Sequence, residues 1–345
     1  MVTARLFNPQ NDLALAAGRA AYTPPGAAAA FARAGALLPA WWSGEADIIA
    51  GRGLEDDAAW LRRTHGLTIA TGNCAAAEVA EAWGWSANAA SLLAREGVAP
   101  DLLPCPATLD TLRRLSHRRT AITIRRALGV DEGFEAVTTE AALEYIRQTP
   151  EGVFAKSPWS CSGRGVMPVS NADAAATRPF LEGIIRRQGS VMLERNSGTG
   201  LDFAALFERS AKGQVEFAGW SVFASSAAGA YAGNLVAPQQ ELEAMIDERT
   251  ELDELKSTVT KLERILGEVL AESGYAGPLG VDMLAADSGF LNPCIELNLR
   301  RTMGFVARDL NRLHGLEGRL TMNGPADALS LTPPRGPFNI SVMRR

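Results

Sequence analysis

The chain has few of the residues from which disulfide frameworks and transition-metal sites are built. Its 345 residues include only four cysteines and three histidines. No two cysteines have the C-x-x-C spacing of a zinc or redox site, and no HExxH motif is present. We therefore expect reduced thiols, a cytoplasmic location, and neither a disulfide nor a zinc site. The four cysteines are Cys74, Cys105, Cys161 and Cys294.

The chain also lacks a long hydrophobic run and an excess of positive charge. Its longest apolar region, residues 26–42, is interrupted by Arg33, Gly35 and Pro39, so it does not resemble a membrane span. The first five residues lead into a strand-like segment rather than a signal peptide. A formal net charge of −5 argues against broad binding to nucleic acid, which needs a basic face. We expect neither a membrane nor a nucleic acid as a partner.

The first hundred residues alternate strand-like and helix-like segments. This alternation predicts an open α/β domain with parallel strands. Pro100, Pro104 and Pro106 then mark a connection, and a basic helical region follows at residues 109–128. The strand-like segments are residues 5–7, 47–50 and 67–70, and the helix-like segments are residues 11–21, 26–35 and 54–64.

The rest of the chain predicts a compact α/β unit followed by a second sheet. A long amphipathic helix, residues 252–269, interrupts the second sheet, and its apolar residues form one stripe. The stripe could be a coiled-coil seam, but it is short, so we expect the helix to lie on its own sheet. The compact unit has strands at 152–156, 165–169 and 191–195, and the second sheet has strands at 214–225, 231–236, 279–285 and 289–299.

The segment Ile295-Glu296-Leu297-Asn298-Leu299-Arg300 carries the strongest chemical signal. It alternates apolar and polar residues, as a strand with one buried face does. The turn at residues 286–289 predicts a hairpin that brings Asp282 beside Glu296 and Asn298. Three converging oxygen ligands favour Mg²⁺ over zinc, with Mn²⁺ as a substitute, and the Arg300 guanidinium suits an anion. The alternative is that these polar side chains are solvated on a strand face.

A loop suited to phosphate is the second signal. Residues 153–166 predict a strand, a loop and a strand, with Lys156 at the end of the first strand. Neither GxxxxGK[ST] nor GxGxxG is present, so the loop is neither a P-loop nor a dinucleotide fingerprint. The alternative is a hairpin with a surface lysine. Residues that would let backbone amides approach phosphate oxygens, or add hydroxyl donors, are Ser160, Ser162, Gly163 and Gly165.

Over residues 105–305 the ordered motifs resemble the ATP-grasp superfamily, which includes biotin carboxylase, D-alanine–D-alanine ligase and other carboxylate–amine ligases. The resemblance implies an α/β fold with an N-terminal open α/β domain, a small lid subdomain and a C-terminal antiparallel-sheet domain that binds ATP and metal. We place the N-terminal domain at residues 1–105, a helical linker at 106–132, the lid at 133–196 and the catalytic domain at 197–345.

The resemblance also implies which residues bind ATP. Lys156 matches the second ATP-binding lysine of the family, and Glu194 matches the hinge glutamate that approaches the adenine and ribose. Arg118 occupies the position of the first lysine, so the charge is retained while the geometry changes. The lid residues that match are Ser162, Gly163, Arg164 and Gly165.

The metal and substrate residues follow from the same resemblance. Asp282, Glu296 and Asn298 match the metal ligands, with Arg300 completing the Glu-x-Asn-x-Arg signature. Arg300 would hold the acceptor carboxylate or the developing acylphosphate together with Arg301, and Arg300 and Lys156 would act in catalysis.

A polar cluster after the first strand is a further candidate for substrate contact. Asn8, Asn11 and Asp12 follow a strand end, where open α/β sheets place ligand contacts. The alternative is that they cap the next helix and satisfy turn amides, and the two roles can coexist.

The sequence thus predicts an ATP- and Mg²⁺-dependent ligase that activates a carboxylate as an acylphosphate and joins it to an amine. Two alternatives remain open: a small-molecule kinase of the same fold, and a nucleotide-binding pseudoenzyme, which the arginine at position 118 favours. The expected partners are small-molecule carboxylate and amine substrates, and a homodimer is one option for the oligomeric state.

Overall fold

The structure, a computed structural model, describes residues 1–130, 132–160, 165–225, 231–334 and 337–345. Three β-sheets organise these residues: a four-stranded sheet from residues 3–82, a second four-stranded sheet from residues 134–195, and an eight-stranded sheet from residues 200–344. The mixture of helices and strands confirms the α/β class predicted from the sequence. The domain boundaries given above remain predictions.

The first sheet is parallel throughout, as the alternation of segments predicted. Its strands have the spatial order β3-β2-β1-β4. The chain therefore moves outward from β1 in one direction and then returns to the other side of β1. In open α/β sheets such a reversal leaves a crevice at the carboxyl ends of the two strands between which the order reverses, here β1 and β4. The strands are β1 (Thr3–Leu6), β2 (Ile48–Ile49), β3 (Ala70–Thr71) and β4 (Val79–Ala82), and the helices are α1 (Asn11–Ala17), α2 (Gly26–Ala34), α3 (Glu55–His65) and α4 (Ala87–Arg95).

Two helices, α5 (Pro106–Leu115) and α6 (Arg119–Ala127), occupy the region predicted as basic and helical at 109–128. A tertiary contact holds the chain in a non-helical conformation between them. The backbone amide of Arg118 donates to the carbonyl of Pro158 at 3.1 Å. His117 packs edge-on against Trp159, with ring centroids 4.6 Å apart. This break places Arg118 immediately before α6.

The second sheet is antiparallel, with the order β5-β8-β6-β7. Two helices cover one face through a core that includes Leu143, Ile146, Leu181 and Ile184. Three of its strands were predicted and β5 was not. The strands are β5 (Phe134–Ala136), β6 (Val153–Lys156), β7 (Val166–Val169) and β8 (Val191–Arg195), and the helices are α7 (Thr139–Arg147) and α8 (Thr177–Gln188).

Gly165 ends the loop between β6 and β7, and its backbone conformation and close neighbours require a glycine. Gly165 has a φ of 69°, and a Cβ there would lie 2.4 Å from Oγ of Ser157. The carbonyl of Gly165 accepts the amide of Ser157 at 2.8 Å, which closes the base of the loop. The other predicted lid residues, Ser162, Gly163 and Arg164, lie outside the described residues, as does Cys161.

The eight-stranded sheet is antiparallel and has the order β13-β12-β9-β10-β11-β14-β16-β15. Four of its strands were predicted, while β9 and the three C-terminal strands were missed. The strands are β9 (Gly200–Arg209), β10 (Val215–Ser225), β11 (Tyr231–Val236), β12 (Gly277–Ala286), β13 (Leu291–Asn298), β14 (Gly318–Thr321), β15 (Leu329–Ser330) and β16 (Ser341–Arg344), and the helices are α9 (Gln239–Asp247), α10 (Leu252–Val269) and α11 (Met303–His314).

Side chains alternate in direction along the central strands of this sheet, so those that pack against α10 and those that pack against α11 lie on opposite faces. On β9, Phe203, Ala205 and Phe207 join the core that contains α10, whereas Ala204 and Leu206 pack with Phe305 of α11. The prediction that the long helix lies on its own sheet is therefore confirmed. Because side chains alternate in direction, the polar residues at even positions of β12 and β13 face away from α10.

The first sheet is attached directly to the strand that carries the predicted metal ligands. The amide of Arg301, just beyond β13, donates to the carbonyl of Trp83 at 2.9 Å, and Gly84 forms a β-bridge with Arg300. A Cβ on Gly84 would lie 2.5 Å from Nδ2 of Asn11, so the loop after β4 is in close contact with the start of α1. Trp83 also lies at this junction, because it packs with residues of the large sheet and α11.

Two expectations from the sequence concern the cysteines and membrane-spanning helices. The cysteines within the described ranges, Cys74, Cys105 and Cys294, are all free thiols. Within the same ranges, no helix has both the length and the apolar character needed to cross a bilayer.

Candidate active site

A cavity of about 780 Å³ lies where the three sheets meet. The residues that line it include two groups, which we call the charged end and the apolar end. The charged end includes Arg118, Lys156, Glu194, Asp202, Asp282, Glu296, Asn298 and Arg300, together with Ser160. The apolar end includes Pro9, Ala27, Ala28, Phe31, Trp83, Met303, Met322 and Phe338, together with Gln10.

The hairpin β12–β13 brings the three predicted metal ligands together. Asp282 and Glu296 are directly paired across the two strands. Nδ2 of Asn298 donates to Oδ2 of Asp282 at 3.1 Å. Burial, with a further contribution from the negative charge of Glu296, raises the pKa of Asp282 to about 7. The structure thus confirms the side-by-side placement that the hairpin predicted.

These donors suit a hard divalent cation. In the described part of the chain, no three His, Cys, Asp or Glu side chains converge, so this group reaches three donors only through the Asn298 amide. Two carboxylates and an amide are oxygen donors of the kind that Mg²⁺ and Mn²⁺ prefer. Two negatively charged carboxylates side by side are stabilised when a cation lies between them.

Arg118 competes for one of these carboxylates. Its Nη2 lies 3.0 Å from Oε1 of Glu296 and also donates to Oγ of Ser160 at 3.1 Å. The residue is 7% exposed, and its Nε has no hydrogen-bond partner. A cation bound at Glu296 would therefore have to share that carboxylate with Arg118 or displace it.

A buried cationic pair surrounds the predicted hinge glutamate. Nζ of Lys156 lies 2.5 Å from Oε2 of Glu194, and Nη2 of Arg125 lies 3.7 Å from Oε1 of the same carboxylate. Burial alone would raise the pKa of Glu194, but Lys156 and Arg125 lower it below its usual range. Arg125 is fully buried and was not predicted from the sequence. Oε1 of Glu194 accepts no hydrogen bond.

Asp202 lies on β9 at the charged end of the cavity. Burial raises its pKa above the usual range for an aspartate. A carboxylate at this place adds an oxygen acceptor within the same cavity as Lys156.

Arg300 and Asp12, both predicted to contact substrate, contact each other. Nε and Nη2 of Arg300 lie 3.1 Å and 2.8 Å from Oδ2 of Asp12. Burial alone would lower the pKa of Arg300, but Asp12 raises it above its ordinary value. Nη1 of Arg300 donates to the carbonyl of Arg301 at 3.3 Å. The pair is neutral overall, and only Arg300 of the two lines the cavity.

Besides Asp12, the structure places three predicted substrate residues away from the cavity lining. Asn8 is buried and donates to the carbonyl of Gly84 at 2.8 Å. Asn11 is also buried and accepts from Nδ2 of Asn8 at 3.3 Å. These two side chains join the loops after β1 and β4, and no side chain caps the start of α1.

Arg301 is the third of these residues. Its Nη1 lies 2.7 Å from Oδ2 of Asp309, and its guanidinium lies 4.4 Å from the ring centroid of Trp42. Both contacts hold the side chain in the packing between β13 and α11. The prediction that Arg301 reaches the substrate together with Arg300 therefore has no support from the geometry.

Sequence reasoning missed Gln10, which lies between the predicted residues Asn8 and Asp12. Gln10 lines the apolar end of the cavity, is 8% exposed, and its Oε1 has no hydrogen-bond partner. No motif marks it. Its position directly after the first strand was the available signal.

The comparisons with known proteins point to one fold. No family model matches the chain, and no curated protein matches it. A biotin carboxylase from Campylobacter jejuni, solved as a β,γ-ATP complex, is similar with a TM-score of 0.56 and 13% identity over 91% of this chain and 68% of its own. Two further similarities have TM-scores below 0.5.

The first of these two is a pyruvate carboxylase from Rhizobium etli, with a TM-score of 0.49 and 16% identity over 76% of this chain. This chain spans only 21% of that protein. The second is an N5-carboxyaminoimidazole synthetase from Staphylococcus aureus complexed with ADP, with a TM-score of 0.48 and 11% identity over 87% of this chain and 70% of its own.

Proposed function

We propose that this chain, which has the ATP-grasp fold, is an ATP- and Mg²⁺-dependent ligase that activates a carboxylate as an acylphosphate and joins it to an amine. One observation carries the proposal. The acidic hairpin of Asp282, Glu296 and Asn298 and the buried Lys156–Glu194 pair line one cavity. The similarity to a biotin carboxylase solved with a nucleotide analogue supports the fold to which this arrangement belongs.

In this proposal the charged end of the cavity binds the nucleotide. Lys156 and Arg118 would neutralise phosphate oxygens, and Glu194, whose Oε1 accepts no hydrogen bond, would accept one from the adenine or ribose. The predicted lid residues Ser162, Gly163 and Arg164 would add donors, with Gly165 closing the base of the loop. Mg²⁺ at Asp282, Glu296 and Asn298 would supply charge neutralisation at the phosphates.

Two bond exchanges make up the proposed reaction. In the first, a carboxylate oxygen of the substrate attacks the γ-phosphorus and the bond to the β-phosphate oxygen breaks, which releases ADP. In the second, the amine nitrogen attacks the acyl carbon, the bond to phosphate breaks, and the nitrogen loses a proton. Both exchanges develop negative charge on oxygen, which fixed donors stabilise.

Arg300 is the residue placed to stabilise that charge. A guanidinium has five N–H groups, and Asp12 and the carbonyl of Arg301 together engage Nε, one N–H of Nη1 and one of Nη2. One N–H on each terminal nitrogen remains for the substrate. Asp12 would act as a positioning residue, because its two contacts fix the plane of the guanidinium.

The test is a screen of carboxylates for release of ADP and phosphate, repeated with amines. We expect an amide product with one ADP and one phosphate per turnover, and we expect Glu296→Ala to abolish turnover while the protein stays folded. Glu216→Ala is the matched control, because Glu216 is an exposed carboxylate on β10 outside the cavity lining. A Glu296→Ala variant with unchanged turnover would remove the metal assignment. A phosphorylated product would instead identify a kinase.

The ion pair between Arg118 and Glu296 favours a second candidate, a nucleotide-binding protein without turnover. In that case the arginine would occupy the metal ligand permanently and act as a substitute for the cation. Calorimetry separates the two proposals. Nucleotide affinity that is the same in EDTA and in Mg²⁺ would support the second candidate, whereas affinity that rises with Mg²⁺ supports the ligase.

A further inference from the structure

The apolar end of the cavity lies at the point where the strand order of the first sheet reverses. The loop after β1 contributes Pro9 and Gln10, and the loop after β4 contributes Trp83. Both loops leave the carboxyl ends of neighbouring parallel strands, where open α/β sheets place their ligand crevice.

The walls of this end are apolar and partly aromatic. Phe31 of α2 and Phe338 stand edge to face with ring centroids 5.4 Å apart, and Met303 and Met322 add flexible apolar surface. Arg300, a predicted anion-binding group in the same cavity, is paired with Asp12. Among the described residues that line this end, none carries a charge.

One polar atom in this lining has no partner. Oε1 of Gln10 is buried without a hydrogen bond, and the residue as a whole is 8% exposed. A buried acceptor left unpaired is destabilising, because it has lost its hydration without gaining a donor. A ligand that donates a hydrogen bond to it would remove that destabilisation.

We propose that this end of the cavity selects the amine substrate as a primary amine with an apolar substituent, whose N–H group donates to Oε1 of Gln10. This inference rests on the proposed ligase function and names the class of its nucleophile. An amide oxygen can accept from a nitrogen without removing its lone pair, which stays available for the acyl carbon. Apolar walls without a charged group favour an apolar substituent, because a polar one would lose its hydration without gaining a partner.

The experiment is a calorimetric titration of the full-length protein with benzylamine and with ethanolamine, in saturating Mg-ADP. We expect benzylamine to bind at least about tenfold more tightly than ethanolamine, because its ring can bury apolar surface at this end. Gln10→Met keeps the length of the side chain and removes the acceptor, so it should weaken benzylamine binding by about tenfold. Gln10→Glu keeps an acceptor and should bind benzylamine at least as tightly as the wild type.

Two controls separate a ligand contact from a general effect on the fold. Gln148→Met makes the same change at an exposed site on the lid and should leave benzylamine binding unchanged. Phe338→Ala should weaken benzylamine binding and leave ethanolamine binding unchanged, which tests the apolar wall even if Gln10→Met does not fold.

The outcomes distinguish this inference from the proposed function. Benzylamine binding that is unchanged in Gln10→Met, or no stronger than that of ethanolamine, overturns the inference while Mg-ADP binding by the wild type still supports a nucleotide site. Absence of Mg-ADP binding by the wild type overturns the proposed function itself.

Discussion

Replacing Arg118 with methionine should tighten the binding of a divalent cation in the absence of nucleotide. In the wild type, Nη2 of Arg118 lies 3.0 Å from Oε1 of Glu296, so the guanidinium and the cation compete for one carboxylate. The substitution removes the competitor and a positive charge that repels the cation. Both effects strengthen the binding of the cation.

The size of the effect follows from the burial of the pair. A hydrogen bond to a charged group contributes about 1.5–3 kcal/mol. The Arg118 side chain is 6% exposed and the Glu296 side chain is 24% exposed, so solvent screens the pair in part. We therefore expect a gain near the low end of that range, about 1.4 kcal/mol, which corresponds to about a tenfold lower Kd.

The assay is calorimetric titration with Mn²⁺ at pH 8, where Asp282, whose pKa is raised to about 7 by burial and by Glu296, is mostly ionised. Arg119→Met is the matched control, since Arg119 is 58% exposed and pairs with Glu135 outside the cavity lining. Arg118→Met should bind Mg-ATP less tightly than Arg119→Met does, because Arg118→Met also removes the proposed phosphate contact.

An unchanged or weaker Mn²⁺ affinity in folded Arg118→Met would refute the competition. It would mean that Glu296 does not ligate the cation, and the three-donor assignment would fail with it. A melting curve recorded in EDTA shows whether Arg118→Met is folded in the absence of the cation.

Three further predictions follow from the same geometry. Lys156→Met should lower the free energy of unfolding by about 3–5 kcal/mol in urea titrations, because it leaves the buried carboxylate of Glu194 without its closest partner; adding Glu194→Gln should restore part of the loss, and purely additive losses would contradict the pairing. Mn²⁺ affinity should fall by up to tenfold per pH unit below about pH 7 and level off above it, because the proton on Asp282 must leave before the cation binds; an affinity that is flat between pH 5 and pH 8 would contradict this. Arg301→Met should lower the melting temperature, since Asp309 loses a partner at 2.7 Å, but should leave the Kd for Mg-ADP unchanged, and a large change in that Kd would return Arg301 to the site.

The hairpin β12–β13 could be predicted because two local signals agreed. Glu296, Asn298 and Arg300 repeat at period two, and residues 286–289 have turn chemistry, so the placement of Asp282 beside Glu296 and Asn298 could be inferred from the chain. The register shift next to Asp282 was not predicted. The parallel first sheet followed from the alternation of segment types in the same way.

Other elements could not be predicted, because the contacts that stabilise them come from distant parts of the chain. Residues 203–207 of β9 form a continuous apolar run because both faces of this central strand are covered, so no alternation marks it. Val79–Ala82 reads Val-Ala-Glu-Ala, a composition with no strand preference, and becomes β4 through its pairing with β1. The break before α6 depends on Pro158, which is distant in sequence.

The site was predicted in part for a related reason. Residue types and spacing identified the groups that carry charge, but they did not show which groups neutralise one another. Arg300 with Asp12, and Arg301 with Asp309, are pairs that only the folded chain brings together. Arg125 and Gln10 carry no motif, and their burial beside the cavity distinguishes them.

The most direct test of the central claim is a crystal structure of the protein with Mg²⁺ and a non-hydrolysable ATP analogue. We predict one or two metal ions at about 2.1 Å from oxygens of Asp282 and Glu296, with the analogue's phosphates beside Lys156. A nucleotide bound elsewhere, or bound at this cavity with Arg118 still on Glu296 and no metal between the carboxylates, would contradict the account.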